Sequence, residues 1–260
     1  MVTLRLGSDM KLQRATRHLD ELEAQVAEYL RNEPFTVNIR EDGSTGDLEY
    51  VVHVREQPPA EWGATIGDIV HNARSSLDIV VRQLVLANGA TPSRATAFPI
   101  GDDELGFRKV AKKYLKGVST ETRDRIEAME PWSGGHEWLW MLHRLDIMDK
   151  HHQLIPVGAA TQGVTFEGTF TPPWGGETRP LPSFVINAAD KQYPLADGAV
   201  VFTVKKGAQP LAEKDSGFTM AHRPVFFVAF GEGEAVGGRA VVPTLRDVVK
   251  EAQLVVGALC

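Results

Sequence analysis

The stretch PPAEWGATIGDIVHNARSSLDIVVRQLVLANG, Pro58 to Gly89, decides the architecture. Ile66, Ile69, Val70, Ala73, Leu77, Val80, Val81 and Leu84 recur every three or four residues, the spacing that stacks side chains on one face of an α-helix. Pro58-Pro59 suits a helix start, where the missing N–H costs nothing, and Asn88-Gly89 suits its end. The stripe is wide, so it predicts a central helix over 60–87 covered by other elements.

Working toward the N-terminus, Leu12, Ala15, Leu19, Leu22, Val26 and Tyr29 repeat the helical spacing over Ser8 to Leu30, with Ser8 or Asp9 as a cap and Pro34 as a stop. Between the two helices, Phe35 to Arg40 and Leu48 to Val54 alternate around Asp42-Gly43-Ser44-Thr45-Gly46. That pattern predicts a β-hairpin with a glycine-bearing loop. Toward the C-terminus, a basic helix is expected near Glu104 to Leu115, a short one from Ser119 or Thr120 to Met129, and another from Ser133-Gly134-Gly135 to about His152. On the last, Trp138, Met141, Leu142, Leu145 and Met148 share a face.

Beyond Pro156 the period changes from helical to alternating: Gly163 to Thr171, Phe184 to Ala188, Ala199 to Val204 and Val225 to Phe230 predict an antiparallel sheet with Gly/Pro-rich connections. A closing helix is expected over Thr244 to Leu259, where Thr244 and Asp247 have capping-box spacing. The fold class is therefore α+β: an N-terminal helical layer with a β-hairpin, then an antiparallel sheet and a closing helix. Residues 1–156 and 157–260 are the natural divisions, and they can also form one compact domain.

Hydrophobic residues make up 43% and charged residues 24%, enough apolar side chain for a packed core and unlike a disordered chain. The net charge of −6 offers no overall positive field, which disfavours nonspecific duplex binding and leaves local basic clusters as the only route to a phosphate. The lone cysteine, Cys260, permits no internal disulfide. Residues 1–10 do not read as a signal peptide and no apolar run of roughly 18 residues occurs, so a cytoplasmic protein without a membrane span is expected.

Two helical segments carry chemistry-bearing residues. In Asn72-Ala73-Arg74-Ser75-Ser76-Leu77-Asp78, Arg74 and Asp78 are one turn apart at the border of the apolar stripe. They form either a surface ion pair or the edge of a cleft in which Arg74 binds an anion and Asp78 orients it. In His143 to His152, Asp149 and His152 point toward the apolar face. A carboxylate there needs a cation, and Arg74 is the expected partner. Asn72, Arg74, Asp78, Asp149 and Lys150 are thus the candidate ligand-binding set, for RNA or a small anionic ligand. No HxxxH or HExxH pair occurs, and adjacent His151 and His152 diverge on a helix, so neither a metal site nor any other cofactor is expected. G-x-S-x-G, P-loop and dinucleotide-binding patterns are absent as well.

Arg144 and His151, with six residues between them, fall on the outer face of the same helix. This arrangement resembles the motif of HEPN-type ribonucleases, although Leu145 stands where those motifs carry a polar residue. The resemblance implies a metal-independent RNA-processing enzyme in which Arg144 and His151 are catalytic, built at the interface of a homodimer. Residues 60–155 also resemble an uncharacterised bacterial family with Asn-x-Arg-Ser-x-Leu-Asp, Phe-Pro-Ile and Asp-Lys-His segments, here Asn72–Asp78, Phe98–Ile100 and Asp149–His151. Ile79 and His152 depart from it, where His and Arg would stand. The alternative to an enzyme is a non-catalytic ligand-binding or assembly module.

Overall fold

The apolar stripes form the helices that their spacing predicts. The computed structural model describes residues 6–151, 154–172, 174–180, 184–186, 191–206, 218–231 and 236–260. Helix α1 spans Leu6–Arg31, and all six of its periodic residues, from Leu12 to Tyr29, are buried. Ser8 and Asp9 lie in its first turn rather than before it, with Asp9 where an acid suits the helix dipole. Helix α2, Trp62–Ala87, buries Ile66, Ile69, Val70, Ala73, Leu77, Val80 and Val81. Gly89 follows at φ +75°, a conformation that ends helices and that glycine adopts without strain.

Helix α3 spans Glu104–Tyr114 and is capped by Asp103, whose carboxylate accepts from Gly106 N at 2.6 Å. Helix α4, Thr120–Glu127, is capped by Ser119, and α5 runs Glu137–His151. The closing helix, α6, begins at Val241, before the expected Thr244, with Ala240 at its cap. Pro243 falls in its first turn, where backbone N–H groups have no intrahelical acceptor to lose. Thr244 is buried inside the helix instead of capping it.

The chain divides into two compact units that interleave along the sequence. The first comprises Met1–Gln25, Ala60–Ile155 and Glu232–Cys260. There α2 packs on both α5 and α6, with Leu139, Leu142, Leu145, Leu245, Val248, Val249 and Ala252 in the core. Helix α1 is tied to α6 by Arg246 with Glu23 and by Gln253 Nε2 to Thr16 Oγ1.

The second unit comprises Val26–Pro59 and Pro156–Gly231. Strands β1 (Phe35–Glu41) and β2 (Leu48–Val54) form the predicted hairpin, in register from Phe35 opposite Val54 to Glu41 opposite Leu48. Strand β3 (Pro156–Phe170) is the long member of a separate antiparallel sheet that also holds β4 (Arg179–Pro180), β5 (Phe184–Ile186), β6 (Lys191–Gln192) and β8 (Phe218–Phe230). Strand β7 (Val200–Val204) leaves that sheet and pairs with β2, so the hairpin becomes a three-stranded sheet. Alternation reveals that a segment is a strand, but not its partner. Gly158 permits a close approach within this unit: a Cβ there would lie 2.3 Å from the buried Phe35 ring. Phe35 also meets Phe226 at 5.2 Å. Among the described residues, no helix is long and apolar enough to cross a membrane.

Candidate functional site: the polar seam of α2 and α5

The first cluster grows out of Arg74, one of the few buried charged residues of the described chain. Its Nη1 donates to Asp78 Oδ1 at 2.6 Å and its Nη2 to the Phe98 carbonyl at 2.7 Å. Phe98 N in turn donates to the same Asp78 Oδ1 at 2.9 Å. Two side chains one helical turn apart thus satisfy both backbone groups of a residue that is fully buried, much as a neighbouring strand would. The contacts join the Asn72–Asp78 and Phe98–Ile100 segments. They are two halves of a clamp that holds the loop before α3 against α2. Asn72 is similarly occupied: its Nδ2 donates to Asp68 O at 2.7 Å and its Oδ1 accepts from Lys11 Nζ at 3.0 Å.

The expected contact between Asp149 and Arg74 is not what forms. Asp149 lies against Gly67, where a Cβ would come within 2.0 Å of its Oδ1, two turns before Arg74 on α2. Seven residues of helix put roughly 10 Å between those levels. Asp149 does face α2 from α5, but at the level of Gly67 rather than of Arg74. Burial raises its carboxyl above the usual range, and the nearby Asp146 carboxylate adds to that rise.

Asp146 is the acid that the sequence reading missed. Its side chain is 4% exposed, with Oδ1 3.4 Å from His71 Nδ1 and Oδ2 2.5 Å from Lys150 Nζ. The available signal was its helical spacing from Leu139 and Leu142, both buried, which puts a carboxylate in the middle of the apolar stripe. His71 is 51% exposed, and its Nε2 lies 3.3 Å from Ser75 Oγ. The chain Ser75–His71–Asp146 has the order of a nucleophile, base and orienting acid. Ser75, however, sits within α2, where helical hydrogen bonding engages its own N–H, so it lacks the backbone donor that a nucleophile elbow supplies to a developing oxyanion. The arrangement is better suited to holding a histidine than to acyl transfer.

His143 completes the seam. Burial lowers its pKa to about 4, and the Arg74 guanidinium pushes in the same direction, so the ring is neutral at pH 7. Its Nδ1 is buried and has no hydrogen-bond partner among the described residues. Arg144 is half-buried on α5, and among the described residues no ion pair involves it. His151 is the last residue of α5; its side chain, like all of His152, lies outside the described residues. Trp138, expected in the core, is half-buried beneath the guanidinium of Arg239 at 5.9 Å. Among the described residues, no group of three or more His, Cys, Asp or Glu could hold a metal ion.

The structure therefore divides the five candidate ligand-binding residues among three arrangements: Arg74 with Asp78 in the loop clamp, Asn72 with Lys11, and Lys150 bonded to Asp146 with Asp149 nearby. Comparison with protein-family models, curated proteins and solved structures returned no match.

Proposed function

We propose that this protein is a metal-independent RNA-processing enzyme in which Arg144 and His151 act from one face of α5. The observation that carries the reading is the continuity of α5 from Glu137 through His151, which keeps the two residues within one regular helix. Seven residues amount to nearly two full turns, so both positions project to the same side, roughly 10 Å apart along the axis. Arg144 would stabilise the charge developing on a scissile phosphate, and His151 would take the proton of the attacking 2′-hydroxyl or return it to the leaving oxygen. Lys109, Lys112, Lys113 and Lys116 would supply a local basic surface in an otherwise acidic chain, suited to a phosphate backbone.

The test is cleavage of a labelled single-stranded RNA in EDTA by wild type, Arg144→Ala and His151→Ala. Cleavage by wild type and its loss, about a hundredfold or more, in both variants is expected. Activity that persists in either variant, or is absent from wild type, overturns the reading.

The second reading is a non-catalytic binding or assembly module. It is favoured by the way Asn72, Arg74 and Asp78 satisfy one another and the backbone within the fold. An inert wild type that still retards the same RNA in a gel would support it.

A further inference from the structure

We infer a binding site for a small amphipathic carboxylate between α3 and α4, which shares Lys112 with the basic surface above but uses neither Arg144 nor His151. The two helices enclose a half-open cavity of about 300 Å3. This lies at the lower end of the roughly 300–1,000 Å3 range of small-molecule sites. It has room for a body of roughly ten heavy atoms at the ~30 Å3 that a water occupies in the liquid.

The floor is apolar, made by Phe107 and Leu115, which are 2% and 3% exposed and therefore held by the core behind them. Phe107 is further fixed by the Trp132 ring at 5.1 Å. The rim is cationic: Arg108, Lys112 and Arg123 line it, and among the described residues Glu127 is the one acid that does. Arg108 bonds both Glu104 and Glu127 at 2.9 Å, so a glutamate on each helix fixes its guanidinium across the mouth. Arg123 uses Nε to reach the Val118 carbonyl at 3.2 Å, which anchors its guanidinium at the rim. Among the described residues, no ion pair or side-chain hydrogen bond involves Lys112.

Counting Glu104, which pairs with Arg108, two acids offset three cations and leave the rim with one positive charge. A rigid apolar floor under one uncompensated positive charge selects for a monoanion with an apolar body, such as an aromatic or phenylalkyl carboxylate. A bare phosphate would find the cations and leave the floor unfilled. A neutral hydrocarbon would fill the floor and leave the cations without a counter-charge.

The test is isothermal titration of the full chain with 1-naphthoate, with 1-naphthalenemethanol as the neutral analogue and with inorganic phosphate. We expect one naphthoate per chain with Kd at or below about 1 mM. Lys112→Ala and Arg123→Ala should each weaken it about three- to fivefold, and the neutral analogue and phosphate about tenfold or more. Ala111→Phe, which fills the cavity from α3, should abolish binding while circular dichroism confirms a folded chain. No saturable binding by about 10 mM overturns the inference, as does unchanged affinity in the Lys112→Ala/Arg123→Ala double variant or phosphate binding equal to naphthoate. Because both substituted residues are exposed rim positions, a loss confined to affinity separates this site from a folding defect. Naphthoate binding and RNA cleavage are read independently, so each reading can fail alone.

Discussion

The clamp at Arg74 on α2 and the seam around Asp146 on α5 are built from the same kinds of side chain, and they differ in how completely their polar groups are matched. At the clamp, one guanidinium and one carboxylate meet each other and both polar groups of Phe98, at distances of 2.6 to 2.9 Å. At the seam, Asp146 is even less accessible than Arg74, yet besides the exposed Lys150 its histidine contact is 3.4 Å long, a second carboxylate lies alongside, and a buried nitrogen of His143 has no partner among the described residues. Closed polar networks specify structure. Open ones retain groups whose protonation can change, so they are where a fold's pH response resides.

The strongest way to break this contrast is to remove the clamp's cation. Arg74→Ala leaves the Asp78 carboxylate without its cation and the buried Phe98 carbonyl without its donor. Because Asp78 is about one-third exposed, the expected loss is about 3 kcal/mol, at the lower end of the cost of breaking a buried pair. Urea denaturation would measure it, and Arg74→Lys should recover little, because an ammonium cannot present two parallel donors. A loss under about 1 kcal/mol would reduce the clamp to an ordinary surface ion pair.

The seam should respond to pH instead. His143 has a folded-state pKa lowered to about 4, below its ordinary value of 6.5, so the unfolded chain binds the proton more readily. Its contribution to stability is full above about pH 6.5 and declines as pH falls toward 4. The loss across that window should be about 2 kcal/mol once its partial exposure is allowed for. Denaturation midpoints of wild type and His143→Leu, compared from pH 7 to 4.5, would check this. Parallel curves would show that His143 does not control the acid limb.

The smallest effect sharpens the picture of Asp149. Its carboxyl is raised, so ionisation opposes folding and stability is lost as pH rises from the unfolded value through the folded one. Asp149→Asn should therefore stabilise the protein at pH 7 by about 0.5 kcal/mol, the scale of relieving one like-charge pair on a helix. The gain should vanish below roughly pH 4, where the unfolded carboxyl is also protonated. Destabilisation at pH 7 would mean that the carboxylate has a favourable partner in the seam.

Much of this protein is written in local periodicity. The buried stripes of α1 and α2, the strands of the hairpin and the cap of α4 at Ser119 follow from residues close in the chain, because helix and strand periods act over a few residues. The same locality made Arg74 and Asp78 recognisable as a pair and kept Arg144 and His151 on one helix. It could not identify Phe98 as the third member of the clamp, because nothing in residues 72–78 encodes a loop carbonyl twenty-four positions from Arg74. Nor could it set the level at which α5 meets α2. Turns of a helix are equivalent to a periodicity argument, so whether Asp149 faces Arg74 or Gly67 depends on how two ridged surfaces slide before they lock. The pairing of β7 with the hairpin likewise arose only when strands distant in sequence competed for backbone partners. Sequence alone determined which segments are helix or strand and which face of each is apolar, since those depend on the few residues within one period. Tertiary structure alone decided which charges are neutralised and which remain open, since that depends on the distances between elements brought together by burial of the core.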